Sequence, residues 1–150
     1  MAKDYNKMFM DVALLTAEQS NCIKYKVGCV VILNDRVILH GYNGTIKGFI
    51  NCDEKFKGVD MDLPENRKLH SQWSSAFEVH AEMNVITYAA KKGIPLNDTI
   101  VYVTHKPCNN CLKHLISSGV KKVIYLNDYE DNNCQADLKE MSKLIELIKF

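Results

Sequence analysis

The sequence predicts an α/β domain in which a mixed sheet, part of it parallel, carries helices on both faces. Three observations lead there. Two β-branched runs, residues 28–33 and 36–41, flank Asn34-Asp35 and read as a hairpin whose first strand is buried. Beyond residue 90, further strand-like runs at 99–104 and 120–126 alternate with segments of helical spacing. The length, 150 residues, suits one domain with a full core and leaves no room for a second, so a single domain over 1–150 is expected.

Taken in order, Tyr5, Met8, Phe9, Val12 and Leu15 recur at helical spacing and predict an opening helix to about Ser20. After the hairpin, Gly41, Gly44 and Gly48 fall within eight residues. Such a run fits a backbone that something approaches closely, and equally a plain surface loop. Residues 49–77 have no clear period and read as a long loop, a kind that in compact domains is usually functional. Val79, Met83, Ile86 and Ala90 are spaced as the inner stripe of a helix that stops at Gly93 and Pro95. The strand at 99–104 runs into Pro107, a helix follows from Cys108 to Ser118 and is closed by Gly119, and 120–126 is another strand. Leu138, Met141, Leu144, Ile145 and Ile148 predict a closing amphipathic helix. There is no internal repeat and no low-complexity segment.

Composition excludes several classes. The apolar share of 47% and charged share of 25% are those of an ordinary globular protein. A formal charge of +1 without a basic stripe argues against a nucleic-acid polymer as partner. No apolar run approaches membrane-spanning length and the N-terminus lacks the apolar core of a signal sequence, so no membrane association and a cytoplasmic location (the host's, for a viral protein) are expected. In a reducing compartment the six cysteines are expected as metal ligands and core residues rather than disulfides.

The chemistry concentrates in His80-Ala81-Glu82 and Pro107-Cys108-Asn109-Asn110-Cys111. Alone, the C-x-x-C would also fit a redox pair or a structural zinc knuckle, and H-x-E triplets are common on helix surfaces. Both together, in this order, with a helix and a strand between them, point to one metal site. Residues two apart on a helix point about 200° from each other, so His80 and Glu82 serve one metal only if it lies beyond a helix N-terminus. Cys108 and Cys111, three apart, are neighbours on a first helical turn. At helix starts, free N–H groups and the dipole favour thiolate over thiol. One imidazole and two thiolates leave a fourth tetrahedral position for water, and Glu82 is a carboxylate placed to move protons there.

These segments resemble the deoxycytidylate (dCMP) deaminase family, of the compact kind found in phages. The resemblance runs from Lys26-Val27-Gly28 through Gly41-Tyr42-Asn43-Gly44, His70-Ser71-Gln72-Trp73-Ser74-Ser75 and the two metal motifs to Tyr129. H-x-E with P-C-x-x-C is shared with other nucleobase deaminases; the glycine loop and the His70–Ser75 segment narrow it to dCMP. The resemblance implies a cytidine-deaminase-like three-layer α/β/α fold with a five-stranded mixed sheet. It implies a catalytic Zn2+ on His80, Cys108 and Cys111, with Glu82 as proton shuttle in the hydrolysis of dCMP to dUMP and ammonia, a supply for dTTP synthesis. Lys26 is expected at the substrate phosphate, Asn43 at the sugar, and Ala81 and Tyr129 beside the base. A second, structural Zn2+ is expected on Cys22, Cys52, His70 and Glu78, which would order the 49–77 segment. Cys29 is then a core thiol and Cys134 a surface thiol. The family also implies a homohexamer activated by dCTP and inhibited by dTTP, the triphosphate carrying Mg2+ and bound through Tyr42, Asn43, Gly44 and Gly48. Ile46 departs from a pattern that places proline there, and His105-Lys106 from one with a small or apolar residue and a serine. Two other readings are a tRNA-adenosine or free-base deaminase, and a silent zinc protein sensing nucleotides through the 41–48 loop; an intact Glu82 argues against the last.

Overall fold

The computed structural model describes residues 3–129 and 135–150. Alternation along the strands decides the architecture. In β1 (Gly28–Leu33), Cys29 and Val31 face one side and Val30 and Ile32 the other, and all four are buried. β5 (Ile100–His105) repeats this with Val101 and Val103 against Ile100 and Tyr102, and β6 (Lys122–Asn127) with Val123 and Tyr125 against Ile124. Strands buried on both faces need helices on both faces.

The sheet order is β2-β1-β5-β6-β7, where β2 is Arg36–Tyr42 and β7 is Glu146–Lys149. β1 is antiparallel to β2 and to β5, while β5, β6 and β7 run parallel. This is the five-stranded mixed sheet the resemblance implied. Helix α1 (Asn6–Ala17) covers one face with Phe9, Met10 and Ala13. Helices α4 (Ala81–Lys92), α5 (Asn109–Ser117) and α6 (Gln135–Met141) cover the other. The β1–β2 turn follows the expected chemistry, with Asn34 and Asp35 both at positive φ (50° and 58°). At Gly28 an added Cβ would lie 1.9 Å from the Ala13 carbonyl oxygen, so α1 sits on β1 only because that position is bare.

Four elements differ from the sequence reading. The opening helix stops at Ala17, with Ser20 buried beyond it. The 49–77 segment is largely helical: α2 (Cys52–Lys55) and α3 (Pro64–Phe77), the latter opened by proline at its first position. α3 escaped detection because the single residue it buries is His70, which leaves hydrophobic periodicity nothing to register. The predicted closing helix gives way after Leu144 to an extended Ile145 and then β7, and Ile145 and Leu147 face the core in strand alternation. In α4 the buried stripe is Ala81, Val85 and Ala89, turned from the predicted Val79, Met83, Ile86 and Ala90; Val79 belongs to a short strand β4 (Glu78–Val79), and Ala90 is exposed. Small residues won the inner face because α4 lies close to β2. A Cβ on Gly41 would sit 3.1 Å from Val85 Cγ1 and 3.3 Å from the Ala81 oxygen.

Of the three loop glycines, only Gly41 marks a close approach; Gly44 and Gly48 face open space. Gly44 and Thr45 form β3, pairing antiparallel with Val79 and Glu78. That ladder ties the glycine loop to the residues just before His80.

Candidate active site

His80 and Cys108 are the N-cap residues of α4 and α5, each extended (ψ 153° and 165°) before the chain turns helical. The strands set their positions: β4 delivers the chain to His80, and β5 leads through Pro107 to Cys108. Cys108 Sγ lies 3.5 Å and Cys111 Sγ 3.4 Å from His80 Nδ1. One donor atom from each of the three residues falls within 4.8 Å of the others. An imidazole and two sulfurs that converge this tightly fit tetrahedral zinc with one position left over.

Electrostatics agree with the donor chemistry. The Cys108 thiol is pulled down to about 4, chiefly by the Cys111 hydrogen bond and then by His80. Cys111 moves the other way, held up by its hydrogen bond to Cys108 and by burial. The pair therefore keeps one proton, which metal binding would displace. His80 is raised, first by its hydrogen bond to Cys108. Glu82, on the first turn of α4, is only 4% exposed. Burial pushes its carboxyl up to about 7, against the pull of its backbone hydrogen bond, His80 and the Cys111 hydrogen bond. A carboxyl poised near neutrality both accepts and returns a proton at little cost.

These groups open on a cleft of about 290 Å³. Asn43, Ala81, Glu82 and Tyr129 line it, whereas Lys26, Tyr42, Gly44 and Gly48 do not. Asn43 is buried; its Oδ1 accepts from Val27 N–H (2.9 Å) and its Nδ2 donates to the Tyr25 carbonyl (2.8 Å). One amide hydrogen and one lone pair remain for a ligand. Ala81, first in its helix, has a backbone N–H without an intrahelical acceptor.

Comparison with known proteins adds an independent line. A sequence profile described as the cytidine and deoxycytidylate deaminase zinc-binding region matches residues 3–127. The chain belongs to this deaminase family. The deoxycytidylate deaminase of Enterobacteria phage T2 is 34% identical, over 82% of this chain and 80% of that one. ComE operon protein 2 of Bacillus subtilis is also 34% identical, over 92% of this chain and 67% of that one. Among solved structures, the dCMP deaminase of cyanophage S-TIM5 in complex with dCMP and dUMP superposes with a TM-score of 0.76 at 31% identity, covering 100% of this chain and 99% of that one.

The deaminase carries a second donor cluster beside the cleft. Ligand atoms of Cys22, Cys52, His70 and Glu78 lie within 4.8 Å of one another, with Cys52 Sγ 3.2 Å from His70 Nε2. α2 supplies Cys52 at its first position, and α3 turns His70 inward against Phe56 (ring centroids 5.1 Å apart). Ser74 donates to Glu78 Oε2, while Glu78 Oε1 is buried with no hydrogen-bond partner among the described residues. Burial raises both thiols, Cys52 to about 12, and lowers His70. Two sulfurs, an imidazole and a carboxylate in this arrangement are a donor set able to hold a metal ion. Cys29, fully buried behind Glu82, is raised well above its usual value by burial and takes no part in either cluster. Cys134 lies outside the described residues.

Among the cleft residues to which the sequence reading gave no role are Lys24, Tyr25, His105 and Lys106. Tyr25 packs edge-on against His105 and Tyr129 at 5.8 and 6.3 Å between ring centroids. The available signal was position, since 24–25 precede the strand that pairs with β5 and 105–106 end it.

Proposed function

We propose that the chain is a single zinc-dependent deaminase domain over residues 1–150 that hydrolyses dCMP to dUMP and ammonia. The observation that carries this is the meeting of His80, Cys108 and Cys111 beside a buried, near-neutral Glu82 at the wall of one cleft. The likeness of the whole chain to a phage enzyme solved with dCMP and dUMP supports the substrate. The cleft, at about 290 Å³, suits one nucleotide rather than a polymer.

His80, Cys108 and Cys111 would hold the zinc, which when bound would supply Lewis-acid activation of a water molecule for attack on C4 of the cytosine ring. The chain's own residues do the rest. Glu82 takes one proton from the attacking water at a carboxylate oxygen and passes it to N3, then takes the second from the new C4 hydroxyl and passes it to the amine, so that the C4–N bond breaks as the C4 carbonyl forms and ammonia leaves. The Ala81 N–H offers a hydrogen bond to the ring carbonyl, Tyr129 flanks the base, and the free half of the Asn43 amide meets the sugar. Burial of Glu82 keeps competing water from its carboxyl.

The test is ammonia release from dCMP, CMP, deoxycytidine, dCTP and free cytosine by zinc-loaded protein. Selective turnover of dCMP is the expected outcome. Turnover of free cytosine or deoxycytidine instead would retain the zinc chemistry and discard the substrate.

The second cluster is proposed as a closed structural zinc site that fastens α2 and α3; the partnerless Glu78 oxygen supports it. Regulation by dCTP and dTTP with Mg2+, at the Tyr42, Asn43, Gly44 and Gly48 surface of a homohexamer, is proposed on the family resemblance. Two contacts give that surface a route to the cleft: Thr45 pairs with Glu78, and Asn43 holds Tyr25 and Val27. A role in the cytoplasm supplying dUMP for dTTP synthesis follows from the same reading. Among the described residues no helix is long and apolar enough to cross a membrane.

A further inference from the structure

Ser20 stands between the end of α1 and the start of β1, is 1% exposed, and lies outside the cleft lining. A hydroxyl buried in a connecting segment needs partners, and Ser20 finds backbone groups of two residues that matter to the site. Its Oγ accepts from the Cys22 N–H at 3.2 Å and donates to the Asn43 carbonyl at 2.8 Å. The direction of each bond is fixed, since an amide N–H only donates and a carbonyl only accepts. Asn43 is held from the same segment at its other polar groups. Its N–H donates to the Val27 carbonyl at 3.2 Å, its Oδ1 accepts from the Val27 N–H, and its Nδ2 donates to the Tyr25 carbonyl. Of these partners Ser20 is the one that uses a side chain. Beyond Asn43 the chain enters Gly44, where an added Cβ would meet nothing within 4 Å. Packing against Gly44 therefore does not restrain the Asn43–Gly44 peptide, and the Ser20 hydroxyl does.

We propose that Ser20 is a positioning residue for recognition of the substrate sugar: by locking the Asn43–Gly44 peptide, it aims the free half of the Asn43 amide into the cleft. The inference rests on the dCMP reading above and deepens it. The deoxyribose of a 5′-nucleotide has a single free hydroxyl, at C3′. The unused amide hydrogen and lone pair of Asn43 suit such a group, which both accepts and donates. A side chain held beforehand gives that bond at full value, whereas a loose one must first be ordered by the ligand. Glu82 and the donors His80, Cys108 and Cys111 belong to α4, α5 and their caps, and Ser20 makes no hydrogen bond to these among the described residues. Loss of the Ser20 hydroxyl therefore falls on binding of the sugar and spares the chemistry.

The experiment is steady-state kinetics of zinc-loaded parent, Ser20→Ala, Asn43→Ala and the double variant on dCMP. The analogue of dCMP that lacks the 3′-hydroxyl is added as a competitor and read through its Ki. Ser20→Ala is expected to raise KM for dCMP roughly 3- to 10-fold, the worth of one neutral hydrogen bond, while kcat changes by less than about twofold. Its Ki for the analogue should equal the parent's, because that ligand offers Asn43 no hydroxyl. In the Asn43→Ala background the serine change should raise KM no further. Ser20→Cys, which fills the same buried volume with a much weaker donor, takes the same test if Ser20→Ala does not fold. A merely structural role would weaken dCMP and the analogue together, would add to the Asn43→Ala effect, and would overturn the proposal. So would a parental KM in Ser20→Ala. A parent that turns over dCMP but binds the analogue equally well removes this inference and leaves the deaminase reading standing. A parent inactive on dCMP overturns that reading, and this inference with it.

Discussion

His80 and Cys108, 28 positions apart in sequence, meet at 3.5 Å because each is the last extended residue before a helix. Two helix N-termini thus converge on one point, and their free N–H groups and dipoles stabilise anionic sulfur and a carboxylate there. The metal site is consequently a product of the topology: β4 into α4 and β5 into α5 bring the donors together before any ion arrives.

A preformed donor set predicts a clean dependence on metal. Chelation of the parent should abolish ammonia release from dCMP, and added zinc should restore it. Cys108→Ser should fail to recover under the same zinc concentration. Metal analysis alongside the assay checks both, and activity that survives complete metal removal would sink the zinc mechanism.

Glu82 separates binding from chemistry. Glu82→Gln keeps the buried volume and removes the ionisable group, so zinc content should hold while kcat falls by about 10²- to 10⁴-fold, the usual worth of a positioned acid–base group. A variant with full zinc and parental kcat would remove Glu82 from the mechanism.

Much of this was legible in the sequence, for reasons that differ by element. His80, Cys108 and Cys111 were readable because ligand spacing is a local property, set by helical geometry at two chain starts. The hairpin was readable from Asn34-Asp35 and its flanking β-branched runs. α3 was not, since its inward residue is a histidine directed at a metal-type cluster rather than at a hydrophobic core. β7 was not, because Leu144, Ile145 and Ile148 mimic helical spacing, and only pairing with β6 reveals Leu147 as the inward residue. Lys24 and Lys106 were illegible as cleft residues for another reason: which wall a lysine stands on is decided by long-range strand pairing.

The second donor cluster predicts a change in metal stoichiometry. Two clusters imply two zinc ions per chain, and Cys52→Ser should leave one while preserving most of the dCMP turnover. An ion held there would fasten α2 to α3, so proteolysis of the 52–77 segment should quicken in the variant. A single zinc in the parent would refute the structural site.

Gly28 predicts a packing effect far from the chemistry. An alanine Cβ there would lie 1.9 Å from the Ala13 oxygen and 2.6 Å from the Ala17 nitrogen, both backbone atoms, so α1 must move off β1. Gly28→Ala should therefore lower unfolding stability by about 1–3 kcal/mol or more, read from the urea midpoint. An unchanged midpoint would mean that α1 is more loosely seated than these contacts require.

His105 predicts how stability responds to acid. Burial lowers its pKa in the fold, so as pH drops below about 6.5 the unfolded chain takes up the proton first. Its contribution is complete above that value and is lost progressively as pH falls toward the depressed folded value. His105→Gln retains a hydrogen-bonding group near Thr104 Oγ1 and cannot titrate, so its urea midpoint should decline less than the parent's between pH 8 and pH 5. Both proteins lose zinc-ligand contacts to acid alike, and the difference between the two curves therefore isolates the imidazole. Parallel curves would show that His105 accepts a proton in the fold as readily as in the open chain, against the burial that lowers its pKa.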